Sequence, residues 1–332
     1  MKVDVHTHFV PEHLPDMSGR LGDSRWPVST CICGQSHHKQ IMISGKNFRT
    51  ITDQCWSPEK RIADMEEEEV TIQVLSPMPE LLSYWFDAED TLEFSRYINF
   101  DLSQFIESDH NRFIGLGMVP LQDPELAAKE LRRLKKDFGL KGVEVGTHIN
   151  GKSIGDPSFM SFFEAAEAED MVIFIHALHP IGKERIVGPS ELSVLIGFPT
   201  ESALAVSSLI TGGILEKFPD LKIYVSHGGG SISTMLPRLT YGWNTMESIR
   251  GLCPESPEYY AKKIYYDTLV YDVNMLQFLV KQFGASQLMI GSDYPFLIRE
   301  KNPGYWMDNL KISKEEQEEI QYKNACRIFG IF

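Results

Sequence analysis

A chain of 332 residues, 42% hydrophobic and 23% charged, can bury a full core, and its formal net charge of −14 excludes the basic face that nucleic-acid phosphates require. Its longest apolar stretches, such as the run from Met171 to Leu178, are too short to cross a bilayer, and the opening MKVDVHTH lacks the basic and apolar regions of a signal peptide. The sparse cysteines, Cys31, Cys33, Cys55, Cys253 and Cys326, fit reduced thiols, so the expectation is a cytoplasmic protein with neither nucleic acid nor membrane as partner.

Short apolar runs rich in β-branched residues recur along the chain. Strands are predicted at Val3–His8, Thr71–Ser76, Phe113–Val119, Gly142–Thr147, Val172–His176, Lys222–His227, Ile264–Thr268 and Gln287–Ser292. Their nearly continuous apolar character suits parallel strands covered on both faces. Amphipathic helices are predicted at Ser57–Glu69, Pro124–Phe138, Pro157–Asp170, Ala203–Phe218, Val273–Phe283 and Ser313–Phe329. Ser57-Pro58-Glu59 opens the first with an N-cap and a proline in the first turn, and Gly139 stops the second. This alternation predicts an α/β fold, a (β/α)8 TIM barrel, within one domain over 1–332. An open doubly wound sheet is the competing architecture, weakened because no glycine-rich dinucleotide fingerprint follows the first strand.

The segment 9–56 does not fit the alternation. Gln40–Ile43 and Asn47–Thr52 flank Ser44-Gly45-Lys46 and read as a hairpin. The expectation is a small β insertion after strand one, lying over the barrel mouth.

His6 and His8 are two apart on the first strand, so both side chains share a face. His176 closes the predicted fifth strand, His227 the sixth, and Asp293 follows the eighth. In a barrel these are the strand ends where active sites are built. Imidazoles and a carboxylate converging there suit a divalent metal. A rival metal site is Cys31 and Cys33 with His37 and His38, although C-x-C and adjacent histidines are a poor zinc spacing.

With the H-x-H of strand one, the histidine after strand five, Ser226-His227-Gly228-Gly229-Gly230 and Gly291-Ser292-Asp293-Tyr294-Pro295-Phe296, the chain resembles the amidohydrolase superfamily. More narrowly it resembles the branch of non-oxidative decarboxylases typified by 2-amino-3-carboxymuconate 6-semialdehyde decarboxylase. The resemblance extends to Asn324-Ala325 and Phe329 near the end. It implies a single divalent ion, zinc first and manganese second, held by His6, His8, His176 and Asp293. His227, beside a metal-bound water, and Asp293 would carry the catalysis. A small carboxylic acid, unsaturated or aromatic, would be anchored by Arg49, Arg238 and Phe296. It also implies a homodimer in which Arg238 enters the neighbouring subunit's site. Many relatives bridge two metals with a lysine ending strand four; here Gly142–Thr147 ends without one and carries Glu144, whose role is open between ligand, substrate contact and ion pair. The segment Ile181–Phe198 departs from the branch in lacking tryptophan and carrying Lys183, Glu184 and Arg185. A hydratase or hydrolase on the same scaffold is the alternative activity.

Overall fold

The computed structural model describes residues 1–331. Eight strands lie side by side in chain order: Val3–Phe9, Ile72–Pro77, Phe113–Gly117, Gly142–Gly146, Val172–His176, Lys222–Val225, Tyr265–Asp267 and Leu288–Met289. All seven neighbouring pairs are parallel. Backbone bonds from Val5 N to Ile290 O, Asp293 N to His6 O and His8 N to Tyr294 O join the last strand to the first. The sheet therefore closes into a (β/α)8 barrel, and the doubly wound alternative is set aside.

The strands are almost wholly buried, as their unbroken apolar runs require. Side chains alternate between barrel interior and helical wall. On strand four Val143 and Val145 join the outer core while Glu144 points inward; on strand five Ile173 and Ile175 do the same around Phe174. The inner apolar cluster gathers Val74, Leu116, Val172, Phe174, Tyr224 and Met289 with Ile328 and Phe329 of the last helix.

Several boundaries differ from expectation for physical reasons. Strand eight is only two residues long as a ladder, yet its continuation is bonded to strand one through Asp293 and Tyr294. Strand six stops at Val225 because His227 takes a left-handed backbone, φ 57°. The helix expected over Ala203–Phe218 starts earlier, at Phe198, and breaks after Thr211, where Gly213 takes a left-handed backbone, φ 77°. Wide π turns occupy Ser193–Gly197 and Glu319–Lys323, the latter interrupting the final helix. The longest helix, Ala88–Glu107, was not anticipated, though Asp87 caps it and Leu92, Phe94, Ile98, Leu102 and Phe105 form its buried stripe. The run Ser193–Thr211, longer than the apolar stretch from Met171 to Leu178, is long and apolar enough to pass for a membrane span by length and composition. It packs in the barrel wall, with Glu201 buried within it and accepting a bond from Ile181 N.

Between the first two barrel strands a three-stranded antiparallel sheet forms from Val28–Ile32, Gln35–Ile43 and Lys46–Thr52. The last two are the expected hairpin, lengthened. The first was missed because its half-exposed residues show no apolar alternation.

Candidate metal centre

The end of strand one, the end of strand five and the continuation of strand eight bring His6, His8, His176 and Asp293 to one point. One ligand atom from each lies within 4.8 Å of all the others, and all four residues are buried. His8 Nε2 is 3.0 Å from Asp293 Oδ1, His6 Nε2 is 3.6 Å from the same oxygen, and the two Nε2 atoms are 3.1 Å apart. Glycine is required beside them: a Cβ at Gly291 would lie 2.7 Å from Asp267 Cβ and 2.9 Å from His6 Cβ.

The hydrogen bonds around the cluster say what belongs at its centre. His176 Nδ1 is 2.8 Å from Ala177 O, which can only accept, so Nδ1 carries the proton. His176 Nε2 is then a lone pair, buried and without a partner among the described residues. His6 Nδ1 is 2.6 Å from Asp267 Oδ2, so it too is protonated on the outward nitrogen. The inward lone pairs of His6 and His176 and the Asp293 carboxylate thus converge beside His8 Nε2, an arrangement suited to a cation. The ionisation equilibria agree. Burial opposes the charge on His6, but the bond and charge of Asp267 hold its pKa up to about 9. Burial lowers His8 to about 4, with Asp293 acting in the opposite sense. Burial, then the charges of His6 and His8, pushes His176 far down. Burial would raise Asp293, but the bond from His8 and the charge of His6 bring it to about 2. A proton on His6 is the smallest positive charge that fits; a divalent ion satisfies all four groups.

His227 stands beside the cluster, its ring centroid 5.3 Å from His6 and 5.1 Å from His176. Its Nδ1 is buried without a partner among the described residues, and burial followed by the His6 charge lowers its pKa. Glu144 lies deep in the barrel with Oε2 3.8 Å from His8 Nδ1, too far for a hydrogen bond. Neither of its oxygens has a hydrogen-bond partner among the described residues, and burial pushes its carboxyl up to about 8, which favours the neutral acid near pH 7.

A cavity of about 410 Å³ opens over the cluster, lined by His8, His176 and Asp293 below and by Phe48, Arg49 and Phe296 from the insertion and the strand-eight loop. The Phe296 ring is held between His8, stacked at 4.9 Å, and the Arg49 guanidinium, 4.0 Å from its centroid. Among the described residues Arg49 makes no ion pair, and burial lowers its pKa against the opposing charge of Asp293. A partly buried guanidinium without an ion pair suits an anion. Glu80, paired with His179 at 3.1 Å, and Lys183 line the same wall. A second cavity of about 280 Å³ meets His227 and Tyr271 and shares Asp293, Val194 and Ile298 with the first. His179, His227, Tyr271 and Asp293 all hold positive φ, so backbone strain is concentrated at this mouth.

Two other expectations separate here. Arg238 is exposed on the helix Ile232–Thr245 and does not line the cavity of its own chain. In the insertion, Cys31 and Cys33 are exposed, His37 pairs with Asp53, and no metal-like cluster forms among the described residues. Asp267 was missed altogether. The signal was available, since it ends the seventh strand as His176 ends the fifth.

The amidohydrolase family model matches residues 3–331. The chain is 36% identical over 334 residues to the 2-amino-3-carboxymuconate-6-semialdehyde decarboxylase of Dictyostelium discoideum, an alignment covering 100% of this chain and 92% of that one. Among solved structures, 5-carboxyvanillate decarboxylase from Sphingomonas paucimobilis superposes with a TM-score of 0.81 at 23% identity, over 100% of this chain and 99% of that one. A dihydroxybenzoic acid decarboxylase from Polaromonas, with bound manganese and the inhibitor 2-nitroresorcinol, superposes at 0.76 and 21% identity, over 99% and 96%. The chain belongs to the amidohydrolase family.

Proposed function

We propose that this protein is a metal-dependent, non-oxidative decarboxylase of an unsaturated or aromatic carboxylic acid, of the kind its named relatives act on. The observation that carries the reading is a buried set of inward lone pairs lying under a cavity whose wall holds an uncommitted arginine. His6, His8, His176 and Asp293 would hold one divalent ion, zinc by the preference of an imidazole-rich set; the manganese in a structural relative makes that metal the second candidate. When bound, the ion supplies Lewis-acid polarisation of a substrate oxygen. No lysine ends strand four to bridge a second ion.

The remaining chemistry belongs to the side chains. Arg49 pairs with a carboxylate of the substrate, and Phe296, its two faces covered by His8 and Arg49, offers its ring edge to the planar part. His227 delivers a proton to the carbon that bears the leaving carboxylate; its lowered pKa leaves the neutral ring the main form at pH 7 and makes the protonated form the stronger acid. The bond to the carboxylate carbon then breaks, its electrons restore the double bond, and CO2 leaves with the proton in its place. His227 regains a proton from water. Residues 9–56 act as an insertion within one barrel domain and close the mouth through Phe48 and Arg49. Exposed Arg238 serves the site of a partner in a homodimer, in a cytoplasmic enzyme.

The test is CO2 release from 2-amino-3-carboxymuconate 6-semialdehyde, 5-carboxyvanillate and dihydroxybenzoates by zinc- or manganese-loaded protein. Release from any of them, lost in His227→Ala with metal retained, supports the reading. Consumption of substrate without CO2 would replace it with hydration or hydrolysis.

A further inference from the structure

We infer that Asp267 is a positioning residue that uses one carboxylate to set both the ligating tautomer of His6 and the backbone turn that presents His227. Its side chain is fully buried at the end of strand seven. Oδ2 accepts from His6 Nδ1 at 2.6 Å and from the His227 backbone N–H at 2.9 Å. Oδ1 accepts from Gly228 N at 2.8 Å and Leu269 N at 3.1 Å. Four donors around one carboxylate leave it no proton to give, so His6 must be the donor and its Nε2 must face the cluster. The same oxygen holds the first residue of a turn that costs energy, because His227 and Gly228 both carry left-handed φ, 57° and 61°. A ligand from strand one and a proton donor from strand six are thereby tied to strand seven. Gly291, whose missing Cβ leaves room for both Asp267 and His6, keeps the tie close.

Asp267→Asn preserves size but presents an acceptor to only one of the two donor pairs, and it removes the charge. Asp267→Ala removes every acceptor. Asn99→Ala is the control, since Asn99 is equally buried but bonds only Met118, away from the cluster.

The inference rests on the metal-centre reading, and zinc alone is the probe. Zinc affinity is measured by chelator competition at fixed pH. The expected result is a loss of about 10-fold in Asp267→Asn and about 100-fold in Asp267→Ala, with Asn99→Ala unchanged. Equal affinity in wild type and both Asp267 variants would overturn the inference, whereas a wild type without zinc affinity would overturn the metal centre beneath it. Nitrogen-15 NMR of the zinc-loaded wild type needs no variant to fold. It should show a proton on His6 Nδ1 and slow exchange of the His227 amide. A His6 ring protonated on Nε2, or a rapidly exchanging His227 amide, would overturn it as well.

Discussion

The barrel interior changes character within two residues on a single strand. On strand five Val172 and Phe174 point into an apolar layer where Phe174 stacks on Tyr224 at 4.3 Å; the next inward residue is His176, whose Nε2 has no partner among the described residues. The lower half is closed by Ile328 and Phe329 and needs nothing but fit. The upper half carries His6, His8, Glu144, His176, Asp267 and Asp293, all buried, several unsatisfied, with strained backbone beside them. One end of the barrel is built to be stable and the other to hold charge. The difference teaches that the cost of burying the polar end is carried by the apolar end, through the same strands.

The comparison is broken most severely at the top. Asp293→Ala should abolish metal binding and lower turnover by about 10³-fold or more, while circular dichroism stays native. A variant that kept both metal and turnover would dissolve the distinction. At the bottom, Phe329→Ala should cost about 3–5 kcal/mol in urea unfolding and leave the metal content of the folded protein unchanged. Between the two, Arg49→Ala should raise KM for a carboxylate substrate about 10–100-fold without changing metal stoichiometry.

The last effect is a slope rather than a fixed loss, that of stability with pH. Glu144 has a folded pKa of about 8 against an ordinary 4.5, so the folded state retains a proton that the unfolded chain releases. Its contribution is fully present below the ordinary value and is lost as pH rises towards 8. Metal-free wild type should therefore weaken across that window in urea titrations, and Glu144→Gln, with no proton to lose, should flatten the slope.

Much of this was legible in the sequence, and the reasons for the failures are specific. Strand positions were readable because parallel barrel strands are continuous apolar runs. H-x-H, His176 and Asp293 were readable because strand ends in a barrel share one mouth. The helix Ala88–Glu107 was passed over, although its capped start and apolar stripe carry a helical pattern. Asp267 carried the strand-end signal that marks His176, but Tyr265-Tyr266-Asp267 lacks a second polar residue to draw attention to it, and its contact with His6 is set by the fold. Arg238 marks the opposite limit. Sequence resemblance assigns it to a neighbouring subunit's site, and in the single chain it lies in solvent, away from the cavity.

The most direct test of the central claim is metal content by mass spectrometry after zinc loading and dialysis, on wild type, Asp293→Ala and Phe329→Ala side by side. The account predicts about one ion per chain in wild type and Phe329→Ala and none above background in Asp293→Ala. A wild type without metal, or an Asp293→Ala variant that retained it, would contradict the account.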